Sequence, residues 1–186
     1  MVVKRTLHAG YTVPGLSLQD GHKVAELLQS RLHALNDLQL TLKHAHWNVV
    51  GRDFISVHEM LDPQIDVVRA MVDATAERIA TLGVSPNGLP GALVAARSWD
   101  DYAIGRAGTA AHLAALDVVY TGFLSSHRKA LSEVGALDAI TEDMLIGQCA
   151  ALELFQWFMR AHLEDDEGDL LTAGAKTERS AAKKAK

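Results

Sequence analysis

Cysteine is nearly absent from this 186-residue chain. Cys149 stands alone, so no intrachain disulfide can form, and a reducing cytoplasm is the expected setting. Prolines number four and aromatics make up 5% of residues, and long β-branched runs are missing. Those shortages argue against sheet and for helix. No stretch of 18 uninterrupted apolar residues occurs, so no membrane-spanning helix is expected. The basic N-terminus lacks a long apolar run and does not read as a signal peptide. No glutamate is followed three residues later by histidine. That argues against the usual di-iron centre held inside one four-helix subunit.

What the chain does contain is apolar periodicity. Apolar residues make up 48%, enough for one domain with a core. Val24, Leu28, Leu35, Leu38, Leu42, Ala45 and Val49 recur at helical steps, between a candidate N-cap at Ser17 and a stop at Gly51. A second helix is predicted over 54–82, with a kink near 59–62 ahead of Pro63. A third is predicted over 106–134. A fourth opens at Asp138 or Thr141 and ends near 166–168. Short links join the first helix to the second and the third to the fourth. Residues 83–105 form a link too long for a hairpin. An extended link of this length can span roughly 70 Å, whereas a 28-residue helix is only about 42 Å long. The predicted fold is therefore all-α, a ferritin-like four-helix bundle with one long crossover between its second and third helices. Trp99, Asp100, Asp101 and Tyr102 are read as a short extra helix in that crossover. The predicted layout is an arm over 1–16, the bundle over 17–167 and a flexible basic tail over 168–186.

Charge is divided unevenly. The last eleven residues carry five cations and one acid, a net +4, which leaves −9 for the rest of a chain whose total is −5. An acidic body with a basic tail implies two kinds of partner.

Metal-ligand types concentrate between Lys43 and Arg78. On a helix, His58 and Asp62 share a face, as do Asp73 and Glu77. At the helical turn angle all four fall within an arc of about 100°, so the two pairs lie on one stripe. Imidazole with carboxylate suits iron, zinc or manganese. Asp62 and Asp73 lie about 16 Å apart along the helix, while metal–ligand bonds are about 2 Å, so the two pairs cannot hold one ion within one chain. They are either separate weak sites or halves that meet across a two-fold axis, near residues 67 and 68, in an antiparallel homodimer. His46 approaches from the end of the first helix; His44 points about 200° away from it. His33/Asp37 and His162/Asp166 have the same spacing as His58/Asp62, so spacing alone does not mark a site.

His46-Trp47-Asn48-Val49-Val50-Gly51, Phe54-Ile55, His58-Glu59-Met60-Leu61-Asp62, Asp73 and Ala76-Glu77-Arg78 together resemble the signature of the Dps proteins. These form the DNA-protection-during-starvation branch of the ferritin superfamily. Leu154-Phe155-Gln156-Trp157-Phe158 is similar too, and the resemblance covers roughly 17–165, nearest to actinobacterial members with basic C-terminal tails. It implies a hollow homo-dodecamer with ferroxidase sites at two-fold interfaces. In each site, His46, His58 and Asp62 come from one chain, and Asp73 and Glu77 from its partner. It implies oxidation of Fe(II), with peroxide favoured over dioxygen, and storage of ferric mineral. Trp47 is expected near the site as an electron donor or as ordinary packing, and Lys43 either pairs with a site carboxylate or is solvated. Pores near the start of the fourth helix would be lined by Asp138 and Asp143; Asp138 is equally a candidate N-cap. The family often has another acid one turn later, where this chain has Gly147. Sequence-independent DNA binding is expected from Lys176, Arg179, Lys183, Lys184 and Lys186, with Lys4 and Arg5 as a second basic arm. The competing expectation is a nucleoid-compacting structural protein whose metal site is weak or vestigial.

Overall fold

The computed structural model describes residues 8–186. Lys4 and Arg5 lie outside the described residues. Four long helices carry the fold: α1 (Leu18–Asn48), α2 (Phe54–Thr81), α4 (Thr109–Gly135) and α5 (Ala139–Ala161). A short α3 (Pro90–Ala96) lies in the crossover, and α6 (Glu178–Lys184) closes the chain. Helix α1 packs along α2 and α4 along α5, and the two hairpins meet chiefly through α1 and α4.

Local chemistry sets the helix ends. The Ser17 hydroxyl oxygen accepts from the Asp20 amide at 3.0 Å and caps α1 as expected. Helix α2 runs through Pro63 without interruption. Asp138 caps α5 by accepting from the Ile140 amide. That helix stops at Ala161, short of the expected 166–168. The acidic run 164–167 would place negative charge at the negative end of a longer helix dipole, which opposes extension.

The extra helix also sits elsewhere than expected. It starts at Pro90, whose fixed φ suits a first helical position. Residues 99–102 are not helical, because their side chains tether the crossover to α1. The Trp99 indole N–H donates to Asp37 at 2.8 Å, and Arg97 bridges Asp37 and Asp101. A two-residue parallel ladder, with no counterpart in the sequence pattern, pairs β1 (Val49–Val50) with β2 (Ala107–Gly108). It ties the end of α1 to the entry of α4 and delays α4 to Thr109.

Within the segment expected to be a flexible tail, residues 178–184 form α6. Leu171 N–H donates to the Leu163 carbonyl at 2.9 Å. Thr177 and Ser180 cap α6 reciprocally. Ala181 and Ala182 are buried, with α6 lying on α4, and Lys184 donates to the Ala173 carbonyl at 2.7 Å. Glu178 accepts from the Ala103 amide. The helix is amphipathic, with alanines at 181, 182 and 185 on its inner side packed against the core.

Candidate metal centre

The last turn of α1 and the first turns of α2 are brought together by residues 49–53. Gly51 makes that turn with φ +111°, a conformation that L side chains rarely adopt. The result is a reciprocal contact. His46 Nδ1 donates to the His58 carbonyl and His58 Nδ1 donates to the His46 carbonyl, each at 2.9 Å. Carbonyls only accept, so both Nδ1 atoms carry a proton, and Nε2 is the nitrogen that each ring can offer to a metal. The rings stack at 3.6 Å between centroids. Fixing one ring nitrogen to a backbone carbonyl is how proteins orient histidine as a metal ligand.

Asp62 completes the group. One ring nitrogen of each histidine and one Asp62 oxygen lie within 4.8 Å of one another. Among the described residues this is the one cluster of three or more such groups able to hold a metal ion. His46 is buried, His58 half-buried, and the Asp62 side chain half-exposed, so the cluster opens outward. Lys43 donates to Asp62 Oδ1 at 2.9 Å, so it pairs with a site carboxylate rather than being fully solvated. That hydrogen bond is the main reason the Asp62 carboxyl lies below the usual carboxylate range, with the His46, Lys43 and His58 charges adding to it against desolvation.

The other sequence candidates separate by what they touch. Asp73 and Glu77 are exposed on α2 and do not join the cluster, as the axial distance requires. Trp47 is 70% exposed, so it is not a packing residue of its own subunit. His44 turns away and contacts the Ile104 carbonyl at 3.1 Å. The rival His–Asp pairs have structural partners. His33 bonds the Asn87 carbonyl, Asp37 holds Arg97 and Trp99, and His162 bonds the Phe158 carbonyl.

Asp138 serves as the cap of α5. Its carboxylate takes Arg78 Nη2 at 2.6 Å and the Thr141 hydroxyl, and its side chain is only 9% exposed. Burial pushes its carboxyl up, but hydrogen bonds from Thr141 and Arg78 outweigh that and hold it below the usual range. Asp143 is exposed. Sequence reasoning missed Arg78 as an anchor. It follows Glu77 directly and pins that turn of α2 to the start of α5; the signal was a cation three residues before the end of one helix and a capping acid at the start of another.

Comparisons with known proteins bear on this geometry. A family model described as a ferritin-like domain matches residues 25–168, which include all five candidate ligands. The DNA protection during starvation protein of Mycolicibacterium smegmatis is 53% identical over 176 residues, 95% of this chain and 96% of that one. The chain belongs to the Dps branch of the ferritin-like family. A solved Dps structure, DpsA14 from Streptomyces coelicolor, shares 60% identity and a TM-score of 0.86 over 89% of this chain and 99% of its own. The Haemophilus ducreyi fine tangled pili major subunit is also 53% identical, over 88% of this chain and 86% of that one. Among the described residues no helix is long and apolar enough to cross a membrane.

Proposed function

We propose that this Dps protein is a ferroxidase that oxidises Fe(II), with peroxide favoured over dioxygen, stores the ferric product in a hollow homo-dodecamer, and thereby protects DNA. The carrying observation is the oriented His46/His58/Asp62 cluster, beside a carboxylate pair on the same helix that has no part in it. In this reading Asp73 and Glu77 of one subunit face the histidine cluster of its two-fold partner and complete the site. Iron is the substrate. Two Fe(II) ions each give up one electron, the O–O bond of one peroxide breaks, and two protons from solvent complete two waters. Consuming iron and peroxide together suppresses hydroxyl-radical formation. Neutral imidazoles keep affinity for Fe(II), while three carboxylates favour the more highly charged Fe(III). The exposed Trp47, next in sequence to His46, is suited to donate an electron at the subunit boundary.

The acidic body attracts cations, and Asp143 remains available to an entry pore. DNA contact is assigned to α6, in a nucleoid-associated cytoplasmic location. Arg179 and Lys183 lie about 40° apart on α6, and Lys176 and Lys186 flank its two ends. All four are exposed, whereas Ala181 and Ala182 are buried. Lys184 is engaged with the Ala173 carbonyl instead. Exposed cations on a docked helix and its flanks can touch phosphates without reading bases. Peroxide-driven Fe(II) oxidation is measured with wild type and with the Asp62→Ala/Glu77→Ala variant. Loss of the fast reaction is expected, and equal rates would remove the ferroxidase reading.

A further inference from the structure

The outer face of α2 continues between the two halves of the metal site. His58, Asp62, Asp66, Arg69, Asp73 and Glu77 all fall within an arc of about 100°. Any helix face repeats in steps of three and four, so this spacing alone says little. The chemistry of the symmetry mates says more. A two-fold axis between residues 67 and 68 sets His58 opposite the partner's Glu77 and Asp62 opposite the partner's Asp73. The same axis sets Asp66 opposite the partner's Arg69. One step further out, it sets Ile55, 49% exposed, opposite the partner's Ala80, a position that is also exposed. Each mate pair is therefore complementary: ligand with ligand, acid with base, apolar with apolar.

Within one chain, Arg69 and Asp66 meet only at 3.7 Å, and their side chains are 64% and 73% exposed. An exposed i, i+3 pair of this kind contributes little. It can be given up at small cost. The central position also makes the intersubunit pairing tolerant of crossing angle. Asp66 and Arg69 lie only about 2 Å from the axis along the helix, against about 14 Å for His58 and Glu77. Exposed Ala70 beside them leaves room for close approach.

We infer that Asp66 and Arg69 form a register lock, a ring of four alternating charges across the two-fold axis that aligns the two metal half-sites with a second copy of this chain. The inference rests on the shared-site reading. A slip by one residue would set these charges out of alignment and move each ligand pair about 1.5 Å off its mate. The lock therefore selects the one register in which both metal sites close.

Charge exchange between chains tests this. Asp66→Arg chains present four like charges to one another, as do Arg69→Asp chains. Each alone is expected to assemble poorly by sedimentation at low salt, with helix content unchanged by circular dichroism. Co-expressed under two affinity tags, the two variants restore every pairing across the axis. Mixed pairs are then expected in excess of statistical mixing, an excess that shrinks as salt rises. An intrachain role predicts no benefit from mixing, since neither chain regains its own pair. Normal assembly of each variant alone, or no recovery on mixing, would overturn the lock. Should either exchange impair folding, Asp66→Lys with Arg69→Glu repeats the comparison. Recovered assembly without iron oxidation would instead sink the ferroxidase reading and leave the lock standing.

Discussion

Replacing Arg78 with methionine isolates the anchor between the ligand helix and the cap of α5. The Arg78 and Asp138 side chains are 15% and 9% exposed, and their contact is 2.6 Å. Removing one partner of a buried pair costs about 3–5 kcal/mol. Thr141 and the Ile140 amide still satisfy the carboxylate in the variant, and both side chains keep some solvent. A loss of about 2–3 kcal/mol is therefore expected. For a chain of this size that lowers Tm by roughly 4–12 °C. Scanning calorimetry at matched protein concentration measures it, because assembly also raises apparent stability. The pH dependence has a defined sign. The Asp138 carboxyl is held below its ordinary range when folded, so the stability it confers is present above the unfolded value near 4 and is lost as pH falls through the folded one. The gap between wild type and variant is thus full at pH 7 and closes under more acid conditions. A Tm within about 1 °C of wild type, or a gap that widens on acidification, would refute this account of the cap.

Three further outcomes are expected. Replacing Lys176, Arg179, Lys183 and Lys186 by glutamine leaves the buried side of α6 intact and weakens the DNA gel shift; the log–log salt slope falls by about 0.9 for each phosphate no longer neutralised. Retained binding at an unchanged slope would move DNA binding elsewhere. Ala182→Glu puts a charge into the buried contact of α6 with α4, and trypsin then cuts at Lys176 and Arg179 faster than in wild type while the bundle stays intact. Gly83→Ala strains a φ of +84° and drives Cβ to within 2.3 Å of the Tyr11 carbonyl, so the arm over 8–16 loses amide protection at Ala9 in hydrogen exchange, with a cost of about 1–2 kcal/mol.

The bundle was legible because its signals are local. Ser17, Gly51 and Gly83 mark helix boundaries, and apolar steps along α1 name residues that are buried. The histidine cluster was legible for a similar reason, since a five-residue turn leaves His46 few places to go. Other features depended on distant partners. Thr177 and the alanines of α6 look like a linker until α4 is there to cover them. Trp99 and Asp101 look helical until Asp37 and Arg97 claim their polar atoms. Asp138 was legible as a cap, but its partner Arg78, sixty residues earlier, was not. The reciprocal Nδ1–carbonyl bonds that orient His46 and His58 carry no signature in residue type.

The claim that one metal site needs two chains is tested most directly by complementation. A His58→Ala/Asp62→Ala chain and an Asp73→Ala/Glu77→Ala chain are each expected to lose fast iron oxidation. In a mixed pair, one site loses both halves and the other regains a complete ligand set. Random co-assembly should therefore restore about a quarter of the wild-type sites. Recovery near that level supports a shared site. Activity in either variant alone, or none in the mixture despite confirmed co-assembly, would contradict it.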